Sequence, residues 1–380
     1  MVRAARPRVL HVIETLGRGG AEQALVNLLP ALAGRVDVHA CALREPYSHA
    51  ETLERAGVPV HLLDLSFELD VVRGAAKLAA LQRRYGYDVV HAHLFPAELA
   101  VALLPAPRGR PRKIVTFHNV GYDYWVADTA PKRLRRAAHG LILRATMSGA
   151  TSVSRAGADS YERHTGLTPI DVIPIPFSVG ARPAVRPAEA VRAAFGAPEG
   201  RFVFVLAGRT TDEKGHMVAL QALASLRDHP RRPFLCLVGT GPLDAEIEAT
   251  RRALGLLDDT SSFGTQTHEA LVELFVSADA MLVASLREGF GLVALEAMGL
   301  GVPLVSTTGG SLAEVIDGGR VAFAATPGDP ASLAAAMARA MDEPEERERR
   351  RRLALARVEE VYSTARIVDR WVETYAALVR

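Results

Sequence analysis

Short β-branched runs alternate with helical stretches along nearly the whole chain, and this alternation restricts the fold more than any other feature. Residues 9–13, 36–43, 58–63, 88–94, 113–118, 150–154 and 171–175 read as strands, with apolar-periodic segments such as 21–33, 71–85 and 132–148 between them. Strands separated by whole helices cannot pair as hairpins. They need crossovers, which build a parallel sheet with helices packed on its faces. The pattern pauses at residues 174–198, where Pro174, Pro176, Pro183, Pro187 and Pro198 accompany Gly180 and Gly196 as they would in an interdomain linker. It then restarts at 201–207, 234–238, 262–264, 280–284, 303–306 and 321–324, which predicts a second α/β domain. The tail from 344 to 380 is helical in pattern, and its mixed run of Glu345, Glu346, Glu348 and Arg349 to Arg352 reads as a solvated face. The expected division is 1–180, 181–362 and a C-terminal helix 363–380, a size that suits two domains with separate cores.

Composition enters by exclusion. With 49% hydrophobic and 23% charged residues and a net charge of +2, the chain is neither disordered nor fibrous. No apolar run reaches the roughly 18 residues that a spanning helix needs. The first residues, with Arg3 and Arg6, lead into a strand and glycines rather than a signal peptide's apolar core. Cys41 and Cys236 lie in apolar surroundings and are expected as core thiols, which fits a cytoplasmic protein. Residues 1–180 carry a balance of +6 and the remainder −4, with Arg108, Arg110, Arg112, Lys113, Lys132, Arg133, Arg135, Arg136 and Arg144 clustered against only Asp123 and Asp128. The segment around Arg133 to Arg144 reads either as an amphipathic helix for an anionic membrane or as an ordinary solvated helix. Nucleic acid is not expected, because basic and aromatic residues do not interleave.

Three stretches carry candidate chemistry. After the first strand, Gly17, Gly19 and Gly20 precede a helix, so they form either a plain tight turn or an approach for an anion to free backbone N–H groups. In the second half Arg209 closes a strand and Lys214 follows it, one of only four lysines among 45 basic side chains. Cations at the carboxyl end of a first strand suit a diphosphate, and a surface ion pair of Lys214 with Asp212 or Glu213 is the alternative. The most specific stretch runs Glu288-Gly289-Phe290-Gly291-Leu292 and on to Glu296. Its two carboxylates flank a strand-to-helix turn and suit sugar and ribose hydroxyls, while free amides at the helix start suit a phosphate. His91 and His93 share one face of a strand and could pair on a metal, but no third ligand is evident nearby, and packing or lining is the competing assignment. His118 at a strand end is either a core histidine or a site residue.

Taken together with Thr116-Phe117-His118, the 152–155 strand end and Gly309-Gly310 followed by Glu314, the string through Pro303 resembles the signature of retaining glycosyltransferases of family 4. The resemblance spans nearly the whole chain. It departs at Pro174, which is followed by Ile175-Pro176 where the family often has Asn-Gly. It implies the GT-B fold, two facing Rossmann-like domains with an interdomain cleft. It also implies a nucleotide-diphosphate sugar held mainly by the C-terminal domain. Arg209 and Lys214 would then neutralise the departing diphosphate, and Glu288 with Gly289, Phe290, Gly291 and Leu292 would meet the sugar and phosphates. Glu296 would take the ribose, His118 would reach the sugar near the reacting carbon, and Gly19 and Gly20 would approach the phosphates. No cofactor or metal is implied beyond the nucleotide sugar as co-substrate, and the sequence contains no Asp-x-Asp motif. The acceptor stays open between glycan, lipid-linked and small natural product. A nucleotide-sugar hydrolase or epimerase on the same fold, and a non-catalytic sugar-nucleotide-binding protein, are the competing functions.

Overall fold

The structure, a computed structural model, describes residues 6–17, 19–67, 70–121, 129–177 and 186–380. Arg3, Arg18, Asp123, Asp128, Gly180, Pro183 and the expected boundary at 180/181 therefore lie outside the described residues. The chain divides into two compact units, Met1–Pro176 with Tyr362–Arg380, and Phe177–Val361.

The first unit is a parallel sheet of seven strands: β1 (Arg8–Ile13), β2 (Asp37–Ala42), β3 (Val60–Leu62), β4 (Val89–His93), β5 (Arg112–Phe117), β6 (Gly149–Ser152) and β7 (Asp171–Val172). They lie in the order β3-β2-β1-β4-β5-β6-β7. The period of two divides β1 between two cores. Val9 and Ile13 pack with the helix Gly20–Leu32, whereas Leu10 and Val12 pack with Cys41, Leu78 and Ala100 on the other face. Both cysteines are buried free thiols. The last helix, Thr364–Val379, lays Ile367, Val368, Trp371 and Tyr375 into the same core as Val9 and Ile13. Arg112 and Arg110 hold the end of that helix through the carbonyls of Leu378 and Val379, at 3.1 and 2.9 Å. β7 stops at Val172, short of the expected 175, because the prolines that follow have no N–H to give a ladder.

The second unit has six parallel strands: β8 (Val203–Ala207), β9 (Phe234–Val238), β10 (Thr260–Phe263), β11 (Ala280–Val283), β12 (Leu304–Thr307) and β13 (Phe323–Ala325). Their order is β10-β9-β8-β11-β12-β13, around a core that includes Phe204, Leu220, Leu282 and Met337. One expectation is corrected here. Residues 188–194, assigned to the linker for their flanking prolines, form the helix Ala188–Ala194, which packs on the helix His268–Ser277. Pro187 stands at its N-cap, where a missing N–H costs nothing, so the proline starts a helix rather than interrupting structure.

In each sheet the strand order reverses once, between β1 and β4 and between β8 and β11. The carboxyl edge at such a reversal is where open α/β sheets bind their ligands.

Candidate functional site

In the second unit, the loops that follow β8 and β11 carry the charged candidates. Gly215 has a φ of +69°, and a Cβ there would lie 2.0 Å from the carbonyl oxygen of Ala284 at the end of β11. Only glycine allows that approach. It seats the turn Asp212–Lys214 against the β11 loop, where the Leu286 N–H donates to the Glu213 carbonyl at 2.8 Å. Lys214 Nζ consequently donates to Glu288 Oε1 at 2.5 Å, and Ser285 Oγ donates to the same oxygen at 2.8 Å. Lys214 thus pairs across the switch point and not with Asp212 or Glu213. It is Arg209 that faces Glu213, at 3.7 Å, with three quarters of its side chain exposed.

Close backbone packing also holds Glu288. Gly310 has a φ of +63°, and a Cβ on it would stand 2.4 Å from the Glu288 carbonyl oxygen. That oxygen accepts from the Ser311 N–H at 3.1 Å and from Ser311 Oγ at 3.0 Å. The Gly309-Gly310 pair therefore serves the site by letting two backbones touch. Gly291 then caps the helix Leu292–Leu300 with a φ of +94° and no side-chain cap. The first intrahelical donor is Leu295, to the Gly291 carbonyl at 3.1 Å, which leaves the amides of Leu292, Val293 and Ala294 without an intrahelical acceptor. Gly289 and Phe290 are buried just ahead of these amides. An anion at this helix start would meet N–H groups and the positive end of the dipole. Glu296, a turn further on, is half-buried, and burial pushes its carboxyl up to about 7. Its carboxylate has no hydrogen-bond partner among the described residues.

In the first unit, Gly19 precedes the helix that starts at Gly20. The carboxylate of Glu22 folds back so closely that a Cβ on Gly19 would collide with it, and Thr15 Oγ1 donates to that carboxylate at 2.9 Å. This helix start already faces an acid of its own chain.

The histidines assemble beyond what their spacing suggests. The register pairs His11 of β1 with His91 of β4, and both are fully buried, as is His93. Ring nitrogens of His11, His91 and His93 lie within 4.8 Å of one another. The expectation that no third ligand lies near His91 and His93 is corrected: it arrives from a strand 82 residues away. The nitrogens nevertheless face each other as hydrogen-bond partners. His11 Nδ1 and His93 Nε2 are 3.0 Å apart, with ring planes within 9° and centroids 5.2 Å apart, so the two rings lie end to end in nearly one plane. Lone pairs serving a metal would instead converge on one point about 2 Å from each nitrogen. His118 Nε2 meets His93 Nδ1 at 2.9 Å, while His118 Nδ1 is buried and without a partner among the described residues. Burial holds all four imidazoles neutral, pushing His11 down to about 3 and His118 to about 4.

The structure therefore gathers Lys214, Glu288 and the residues 289–292 at one switch point, with Arg209 and Glu296 on the adjoining turn and helix. It places Gly19, Gly20 and His118 at the carboxyl edge of the other sheet. Sequence reasoning passed over Ser285, Ser311, His11 and Tyr375. Only the two-residue periodicity of His11 with Val9 and Ile13 hinted at one of them.

Two Rossmann-like parallel sheets, each with its candidate residues at the switch point, define the GT-B class of fold. The Anabaena Alr3699/HepE structure in complex with UDP-glucose has this fold: the likeness covers 97% of this chain and 99% of that one, with a TM-score of 0.83 at 20% identity. The chain matches Glycosyltransferase Family 4 over residues 18–178 and Glycosyl transferases group 1 over residues 187–356. It is 30% identical over 321 residues to the 2-deoxystreptamine N-acetyl-D-glucosaminyltransferase of Streptomyces fradiae, covering 79% of this chain and 73% of the relative. It is 29% identical over 319 residues to glycogen synthase of Mycobacterium tuberculosis, covering 82% and 74%. The chain belongs to the group 1, family 4 glycosyltransferases.

Proposed function

We propose that the protein transfers a hexosyl group, with retention of configuration and without a metal, from a nucleoside-diphosphate sugar to a hydroxyl acceptor. The observation that carries the proposal is the cation, carboxylate and free helix start brought together between β8 and β11. Lys214 and the amides at 292–294 would hold the diphosphate, with Arg209 adding charge from the adjoining turn. The ribose diol would donate to Glu296 and sugar hydroxyls to Glu288, and in the first unit His118 is the candidate for a sugar hydroxyl. Binding of UDP-glucose by the Anabaena protein supports this class of donor.

In the step itself, the bond from the anomeric carbon to the phosphate oxygen breaks. The acceptor oxygen bonds to that carbon on the same face, and the acceptor proton passes to the departing phosphate oxygen. The developing charge falls on the diphosphate, where Lys214 and Arg209 act by fixed electrostatics and positioning. These cations supply the neutralisation that a metal would otherwise provide. The relatives' names, glycogen synthase and 2-deoxystreptamine N-acetyl-D-glucosaminyltransferase, point to widely different substrates, so experiment decides the acceptor class.

The test is a panel of nucleotide sugars screened by thermal stabilisation, since a ligand that binds only the folded state raises the midpoint. NMR of the product's anomeric configuration follows, in chelator. Retention in chelator supports the proposal, and inversion or chelator sensitivity overturns it. Full turnover of donor without acceptor would favour a hydrolase instead.

One observation favours an accompanying membrane contact. The helix Ala130–Thr146 exposes Leu134, Leu141 and Ile142, spaced seven and eight residues apart on one side, among Lys132, Arg133, Arg135, Arg136 and Arg144. Its buried residues are His139, Gly140 and Leu143. Among the described residues, no helix is long and apolar enough to cross a membrane. The proposed contact is therefore peripheral, at an anionic surface.

A further inference from the structure

The buried histidines of the first unit form one continuous chain of hydrogen bonds, and the chain has a direction. Thr151 Oγ1 reaches the Val115 carbonyl at 3.3 Å and Thr116 Oγ1 at 2.6 Å. Thr116 Oγ1 meets His91 Nε2 at 2.6 Å, His91 Nδ1 meets the Tyr375 hydroxyl at 2.8 Å, and that hydroxyl meets His11 Nε2 at 3.1 Å. From His11 the chain runs through His93 to His118. A neutral imidazole owns one N–H and one lone pair, and a hydroxyl owns one hydrogen. Each link therefore settles the next.

The carbonyl of Val115 can only accept, so the Thr151 hydrogen goes to it. Thr116 must then donate to Thr151, His91 Nε2–H to Thr116, and the Tyr375 hydroxyl to His91 Nδ1. Next, His11 Nε2–H donates to Tyr375, His93 Nε2–H to His11 Nδ1, and His118 Nε2–H to His93 Nδ1. The far end is left with a bare lone pair on His118 Nδ1, the one nitrogen of these four imidazoles that is buried with no partner among the described residues. The opposite order would bury an N–H there with nothing to accept it.

We propose that Tyr375, His11 and His93 are positioning residues that hold His118 as the neutral Nε2–H tautomer, so that His118 Nδ1 serves as a hydrogen-bond acceptor for a sugar hydroxyl at the first unit's sheet edge. The acceptor role rests on the glycosyltransferase proposal above; the tautomer does not. Tyr375 comes from the last helix of the chain, so docking of that helix sets the state of a histidine 257 residues away in sequence. No charged side chain takes part in the chain of bonds, and burial keeps every imidazole in it neutral.

The test is two-bond 1H–15N NMR of the full chain with 15N-labelled histidine, recorded without ligand from pH 5.5 to 8. The expected result is a single neutral Nε2–H form for His11, His91, His93 and His118 throughout. An Nδ1–H form of His118, or its protonation in this range, overturns the proposal. Tyr375→Phe removes only the oxygen, and His11 and His118 should then change to mixtures of tautomers. Unchanged spectra overturn the relay. Should that variant not fold, Thr116→Val cuts the chain on the other side of His91 and is judged by the same criterion on His91. Added zinc should leave the four histidines unshifted; stoichiometric shifts of His11, His91 and His93 would overturn the relay in favour of a metal site. With the donor found in the nucleotide-sugar panel, Tyr375→Phe should lower kcat/KM about tenfold, and full activity would overturn the link to the sugar. If no nucleotide sugar binds, the glycosyltransferase proposal falls and the spectra still decide the tautomer.

Discussion

The two sheets share a strand order and a switch point, yet they equip it with different chemistry. At the β8/β11 edge stand Lys214 against Glu288, Arg209 against Glu213, and Glu296. At the β1/β4 edge neutral imidazoles and hydroxyls predominate, with the Glu22 carboxylate folded back on Gly19. The fold alone therefore dictates where a ligand goes, and the loops decide what it is. A diphosphate needs charge and helix amides, whereas a sugar needs directional hydrogen bonds without competing charge. The excess positive charge of the first 180 residues lies largely outside its sheet edge, on the helix Ala130–Thr146 and the turn before β5.

The largest effect that would break this contrast is expected at Lys214. Lys214→Ala should lower kcat about 10²- to 10³-fold, the usual cost of losing one preorganised group facing developing charge. The midpoint of unfolding should move little, because Glu288 keeps Ser285 as a partner. Lys214→Arg should not restore the rate, since a planar fork does not replace a compact ammonium at a 2.5 Å contact. Steady-state kinetics beside thermal melts decide the matter, and wild-type rates in Lys214→Ala would remove the charged edge from the chemistry.

How much of this was legible depends on sequence distance. The charged edge is written in two local stretches, 209–214 and 288–296, each following a readable strand, and the crossover topology makes those strands neighbours. The neutral edge is not local. His91 and His93 reveal a shared face, but His11 joins them through strand register across 82 residues, and Tyr375 joins His11 across 364. Such contacts depend on which strand is adjacent and how a terminal helix docks, and neither leaves a mark in residue spacing. The helix Ala188–Ala194 was hidden for a different reason, since proline at a helix start and proline in a linker look alike.

A smaller effect separates the two edges by pH. Glu296 has its carboxyl raised to about 7 by burial, whereas His118 is lowered to about 4. Between pH 5.5 and 8, then, Glu296 titrates and His118 does not. A raised carboxyl favours the folded state when protonated, so this stabilisation is complete below about 4.5 and is lost as pH rises through about 7. Ribose hydroxyls should bind best to the ionised form, so UDP affinity should move the other way and rise through the same range, by about tenfold for a bond to a charged group. Glu296→Gln should flatten both trends, making the protein without ligand relatively more stable at pH 8 while weakening UDP. Calorimetric titration and melts across pH measure the two independently. An affinity step near pH 7 that survives in Glu296→Gln would assign it elsewhere.

The smallest effect on catalysis, and the sharpest on location, concerns the positive charge that the first unit carries on the helix Ala130–Thr146. Leu134 and Leu141 on the helix Ala130–Thr146 are 72% and 62% exposed, which costs solvation unless something apolar covers them. Each basic group near an anionic surface adds about 1 kcal/mol, so Arg133, Arg135 and Arg136 together suffice for reversible binding that salt weakens. The protein should therefore sediment with phosphatidylserine-containing vesicles at low ionic strength and be released at high ionic strength. Arg133→Glu, Arg135→Glu and Arg136→Glu combined should abolish sedimentation while leaving turnover of a soluble acceptor within about twofold, since surface changes away from a site rarely disturb it. Leu134→Ser with Leu141→Ser should weaken sedimentation without changing its salt dependence, because the apolar contribution is not screened. Wild-type protein that stays in the supernatant at low salt would show that this helix is an ordinary solvated surface.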